Sequence, residues 1–106
     1  MAKRTVVWTE TAAQQRREIL KYWVQRNGTT TYAEKLIKLT AKQIKVILSN
    51  PKLFKKADFP NTHVSVLGHF SILYKFTKNY LIITAFWDNR QDPKKLLEIL
   101  KKLNGT

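Results

Sequence analysis

The sequence predicts an α+β fold: an antiparallel sheet of about four strands, an N-terminal helical hairpin packed on one face of it, and a short C-terminal helix. Three observations lead there. Residues 80–87, Tyr-Leu-Ile-Ile-Thr-Ala-Phe-Trp, are apolar at every position but Thr84, as in a strand covered on both faces. Residues 12–27 and 31–50 instead repeat apolar side chains at helical spacing. After Pro51 the pattern changes to alternation, punctuated by turn residues at Gly68 and at 77–79.

Residues 4–8 are rich in valine and alternate weakly, so they read as a short first strand. Thr9 or Thr11 then caps a first helix over residues 12–27. Its apolar positions are Ala12, Ile19, Leu20, Trp23 and Val24, its basic side carries Arg16, Arg17, Lys21 and Arg26, and Gly28 suits the left-handed position after it. Thr31 and Glu34 have the spacing of a capping box. Ala33, Leu36, Ile37, Thr40, Ile44, Ile47 and Leu48 recur from there at steps suited to a second helix, which Pro51 stops. The short connection between the two helices makes an antiparallel hairpin.

Residues 52–60 show no period and read as a basic loop. Residues 62–67 and 70–76 alternate and are joined by a turn at Gly68; in the second run Phe70, Ile72, Tyr74 and Phe76 point together toward the helices. With residues 80–87 they make a three-strand meander, to which the N-terminal strand is added. Asp92-Pro93 opens a last helix over residues 93–103, with Leu96, Leu97, Leu100 and Leu103 on one face, Lys101 and Lys102 at its end and Gly105 as terminator.

The 106 residues predict a single domain spanning 1–106, large enough to bury a core. The absence of cysteine excludes disulfides and thiolate metal sites, and two histidines with few nearby carboxylates make a poor metal site, so neither metal nor cofactor is expected. No apolar run has the length of an export core or a membrane span, which makes the cytoplasm the expected location and a membrane partner unexpected. The net charge of +13 is spread along the chain, +9 in the first 60 residues and +4 in the rest, so it belongs to the folded surface. A domain this basic attracts nucleic acid or an acidic protein.

Three stretches, Val-Val-Trp-Thr-Glu-Thr-Ala-Ala near the start, His-Phe-Ser-Ile-Leu-Tyr-Lys-Phe in the middle and Phe-Trp-Asp-Asn-Arg-Gln-Asp-Pro after them, resemble the RelE/ParE superfamily of bacterial type II toxin-antitoxin toxins. The likeness spans nearly the whole chain. It implies a small growth-inhibiting toxin of the kind that serves plasmid stabilisation, held in a hetero-oligomer by a cognate antitoxin. The first expectation is translation inhibition through ribosome-dependent mRNA cleavage by a metal-independent endoribonuclease. The alternatives are a ParE-like inhibitor of DNA gyrase without its own catalysis and, outside the toxins, a basic RNA-binding accessory domain.

Cleavage of RNA by its own 2′-hydroxyl needs a base, cations around the phosphate and a proton donor for the leaving oxygen. The resemblance assigns the last-strand arginine to Arg90, whereas the strand arginine usual between an aromatic and an aliphatic residue falls on Ser71. Serine cannot clamp a phosphate, a loss of about 1.5 to 3 kcal/mol of charge-assisted contact. His63 is a candidate base or acid near neutral pH. It shares strand parity with Ser65, as Ser71 does with Lys75, so some of these side chains could share the exposed face of the sheet. Catalytic candidates are thus Arg90, His63 and Ser71; nucleic-acid-binding candidates are Lys52, Lys55, Lys56 and Lys75, with Trp87 as a stacking platform. Arg90 could equally bridge Asp88 or Asp92, or receive an antitoxin carboxylate, and Asp88-Asn89 could be turn chemistry alone.

Overall fold

The computed structural model describes residues 4–103. Elements follow in the order β1 (Thr5–Trp8), α1 (Glu10–Asn27), α2 (Thr31–Ser49), β2 (Lys55–Lys56), β3 (His63–Leu67), β4 (Phe70–Phe76), β5 (Tyr80–Asp88) and α3 (Pro93–Leu103). The sheet has five strands in the order β1-β5-β4-β3-β2. Four were expected. The addition is β2, two lysines on the edge beside β3, within what the sequence presents as a loop. β1 runs parallel to β5, and all other pairs are antiparallel.

Helix ends are set by local chemistry. Thr9 caps α1, its Oγ1 accepting from the Ala12 N–H at 3.2 Å. Gly28 follows α1 at φ 70 and donates to Val24 O at 2.9 Å; a Cβ there would meet nothing within 4 Å, so only backbone strain disfavours a substitution. The expected capping box is not formed. Thr30, one residue earlier, is the N-cap of α2 and makes no side-chain cap bond, because its backbone is already in the right-handed helical region. Asp92 caps α3 as expected, accepting from the Lys94 N–H at 2.9 Å. Gly105 lies outside the described residues, as does the side chain of Leu103.

The two faces of the sheet are covered by different helices. On one, Phe70, Ile72 and Tyr74 of β4 and Leu81, Ile83 and Phe86 of β5 pack against Ala12 and Ile19 of α1 and Leu36, Ile44 and Ile47 of α2. On the other, Leu73, Ala85 and Trp87 pack against Leu96 and Leu100 of α3. Simple alternation along β5 would put Ile83 and Ala85 on the same face. A β-bulge prevents this: Tyr74 pairs with Ile83 and Leu73 with Ala85, leaving Thr84 as the extra residue and inverting the parity of everything after it.

Polar links fix the layers in register. Gln43 of α2 donates to Ser65 Oγ of β3 at 2.6 Å, and the fully buried Tyr74 donates its hydroxyl to Pro51 O at 2.7 Å. Burial pushes the Tyr74 phenol up to about 12, so it remains a donor at every physiological pH. Tyr74→Phe should leave the buried Pro51 carbonyl without its partner and cost about 1 to 3 kcal/mol. Urea denaturation checks this, with an unchanged midpoint as the contrary result.

Candidate functional site

Parallel pairing ends at Trp8 opposite Ile83, so residues 84–88 of β5 have no strand on that side among the described residues. Gln15 of α1 fills part of the gap, its Oε1 accepting the Phe86 N–H at 2.9 Å. Beyond this open edge lies a cleft of about 540 Å³ between α1 and α3. Ile19, Tyr22, Trp23, Phe86, Trp87 and Ile99 give it aromatic and aliphatic walls, and Gln15, Glu18, Asp88, Arg90, Gln91 and Lys95 add polar groups. The indole Nε1 atoms of Trp23 and Trp87 are buried without a hydrogen-bond partner, although both residues line the cleft.

At the mouth Arg90 is tied on two sides. Its Nε donates to Asp88 Oδ1 at 2.9 Å and its Nη2 to Asp88 Oδ2 at 2.6 Å, a bidentate pair, while its guanidinium stacks 5.1 Å from the Trp23 ring centroid. Asp88 also accepts the Arg90 backbone N–H, at 3.0 Å, which tightens the turn after the strand. The Arg90 side chain nevertheless remains 48% exposed, against 11% for Asp88. The hydrogen bond from Arg90 holds the Asp88 carboxyl below its ordinary range despite the opposing effect of burial, and the same bond raises Arg90 above its own. Arg26 stacks on the same indole, 5.6 Å from its centroid, and Tyr22 and Tyr32 pack around it.

The other candidate residues are scattered. His63 pairs with Tyr74 in register and stacks on it at 5.5 Å, on the helical-hairpin side, with its Nδ1 buried and unpartnered. Ser71 pairs with Trp87 on the opposite side, 7% exposed, and donates to Asn89 Oδ1 at 2.7 Å. Of the four residues that could share a face, Ser71 and Lys75 do so, away from the hairpin, whereas His63 and Ser65 look toward it. The turn at Gly68 and His69 holds the reason. A two-residue connection puts Leu67 opposite Phe70, and counting outward puts His63 opposite Tyr74.

The sheet face opposite the hairpin is covered and not open, since Leu73, Ala85 and Trp87 lie beneath leucines of α3. Trp87, expected as an open stacking platform, is 7% exposed there. Lys75 sits 5.9 Å from the Phe59 ring centroid, while Lys52, Lys55 and Lys56 are exposed and distant in sequence and topology from the open end of β5. Sequence reasoning missed Gln15 and the part played by Trp23. Nothing in the sequence marks Gln15, whereas Trp23 lies one helical turn from Ile19 and reads simply as core.

The family pattern described as the ParE toxin of type II toxin-antitoxin system, parDE, matches residues 6–93, which include all of β5 and of the Asp88-Arg90 turn. The chain belongs to the ParE toxin family. Comparison with curated proteins gives no match. Among solved structures, this ParE-family chain is similar to one described as the chromosomal ParDE toxin-antitoxin system from P. aeruginosa. Identity is 19%, the TM-score 0.68, and coverage 79% of this chain and 94% of that one. It is also similar to a chain of the E. coli DinJ-YafQ toxin-antitoxin complex, at 8% identity and a TM-score of 0.51, covering 83% of this chain and 94% of that one. These likenesses establish a shared fold. Among the described residues of this ParE-family protein, no helix is long and apolar enough to cross a membrane.

The Asp88-Arg90 pair gives the ParE-family fold a pH dependence of definite sign. A carboxyl with a depressed folded pKa adds stability that is present above its unfolded pKa of about 4 and lost as the pH falls through the folded value. Asp88→Asn should lower Tm at pH 7, and its gap to wild type should close on acidification below about pH 4. A gap unchanged down to about pH 2 would mean that charge is not what Asp88 contributes.

Proposed function

We propose that this ParE-family toxin arrests growth in the cytoplasm by binding DNA gyrase, with no nuclease chemistry of its own, and that a cognate antitoxin neutralises it. The observation carrying this reading is the dispersal of the groups that RNA cleavage would need. His63 and Ser71 face opposite sides of the sheet, and Arg90 holds Asp88 in a bidentate pair. A base, a phosphate clamp and a proton donor must lie within hydrogen-bond reach of one scissile bond. Arg90 would have to give up a charge-assisted carboxylate before engaging a phosphate. The ParE family match supports gyrase over the ribosome as the target, through the gyrase inhibition that the ParE resemblance implies.

An antitoxin partner is supported by the similar structures, one described as a ParDE toxin-antitoxin system and the other as a toxin-antitoxin complex. The cleft beside β5 has the chemistry for an acidic segment of such a partner. It combines apolar walls with Lys95 and with Arg90, whose guanidinium stays half exposed while paired with Asp88. The whole would be a toxin-antitoxin hetero-oligomer.

Two measurements on one preparation test the reading. Purified toxin in modest excess should block gyrase supercoiling, and induction in cells should leave messenger RNA ends unchanged. His63→Gln and Ser71→Ala should retain full toxicity, because neither side chain reaches the other or Arg90. Unimpaired supercoiling together with new message ends on induction, abolished by those two substitutions, would restore the ribosome-dependent nuclease.

A further inference from the structure

From Lys35 to Ala57 the chain carries seven lysines and no aspartate or glutamate. Four of them, Lys35, Lys38, Lys42 and Lys45, stand on α2 at steps of three, four and three residues, and all four are exposed. The buried residues of the same helix are Ala33, Leu36, Thr40, Ile44 and Ile47. At about 100° per residue the lysines centre roughly 180° from that buried stripe, which makes them the ridge farthest from the sheet. The ridge is about 15 Å long at a rise of ~1.5 Å per residue. A shallow groove of about 370 Å³, lined by Thr31, Glu34, Lys35, Lys38, Leu39 and Lys42, runs beside its first half. Beyond Pro51 the exposed Lys52, Lys55 and Lys56 continue the acid-free stretch.

This arrangement works against the helix that bears it. Lys35 and Lys38, Lys38 and Lys42, and Lys42 and Lys45 are each three or four residues apart, the spacing at which like charges repel. The helix dipole gives no compensation, since α2 has no base in its last turn and Lys35 lies toward its positive end. Glu34 is the one acid of the helix, and among the described residues no ion pair joins any of the four lysines to a carboxylate. Solubility alone is served as well by mixed signs.

We propose that this lysine ridge is a docking surface for the phosphodiester backbone of nucleic acid, independent of base sequence. A protein partner fits it less well. Interface cores are depleted in lysine and anchored by aromatic or arginine side chains, and the ridge offers only lysines flanked by aliphatic Leu39 and Val46. Flexible ammonium groups suit a row of phosphates, which need charge more than fixed bidentate geometry, and no arginine stands on α2 to read base edges. The inference is independent of gyrase as target, because naked nucleic acid is the probe.

Fluorescence anisotropy with duplex DNA, single-stranded RNA and polyglutamate of similar length, each titrated across salt concentrations, tests it. Nucleic acid in either form should bind more tightly than polyglutamate, and the two arms identify which form is preferred. Changing Lys35, Lys38, Lys42 and Lys45 together to glutamine should reduce the log-log salt slope on duplex DNA by up to about 3.6, at about 0.9 per phosphate contact. Changing Lys38 and Lys42 alone, the milder variant should folding suffer, should reduce it by up to about 1.8. Replacing all four by arginine should preserve the slope. A slope and affinity unmoved in folded glutamine variants, or polyglutamate bound as tightly as nucleic acid, would overturn the proposal.

Discussion

The single extra residue at Thr84 decides what both sides of this molecule are made of. Ahead of it, Leu81 and Ile83 face the helical hairpin; behind it, the inverted parity returns Phe86 to that side and gives Ala85 and Trp87 to α3. Without the bulge, Phe86 would leave the stack it makes with Phe70 at 5.7 Å, and Trp87 would be driven into the hairpin core. The same inversion puts Asp88 on the side of α1, where its partner Arg90 reaches Trp23. A bulge leaves one residue out of the ladder. Thr84 bears that disruption, with its carbonyl receiving a long 3.4 Å bond from Thr9 and its own hydroxyl buried without a partner.

The two sheet edges are handled in opposite ways, and each follows from where the covering elements stop. On one side β1 is only four residues long, so Gln15 satisfies the next outward N–H and the cleft opens where a strand would otherwise continue. On the other, the edge is two exposed lysines, whose charge discourages a neighbouring chain from pairing there. Apolar binding surface is thereby concentrated at the β5 end. That end combines an open edge with an apolar wall, whereas the β2 end offers only charge.

Period and punctuation made most of the architecture legible. The two long helices, β4, β5 and the capped α3 follow from spacing, from Gly28 and Pro51, and from the Asp92-Pro93 step, because each depends on neighbours in sequence. What was not legible depends on neighbours in space. A threonine within an apolar run gives no sign of a bulge, and a Lys-Lys pair has no period by which to announce β2. The bridge from Arg90 to Asp88 could be anticipated because the two are separated by one residue. The faces of His63 and Ser71 required the register of two strands, and parity within each strand carries no information about the other until the turn between them is counted.

Charge in this molecule is divided according to burial. Arg90, beside a carboxylate and over an indole, is committed to holding the end of β5. Lysines, whose long stems keep the ammonium in water, occupy the ridge of α2 and the β2 edge, where no carboxylate is ion-paired to them among the described residues. Arginine is therefore used for geometry and lysine for field. A surface built in this way attracts a polyanion over a Debye length of about 8 Å without constraining its sequence. The cleft beside β5, where apolar walls meet the Asp88-Arg90 pair, has the features that discriminate among partners. The two surfaces lie on different elements, so a partner in the cleft need not obstruct the ridge.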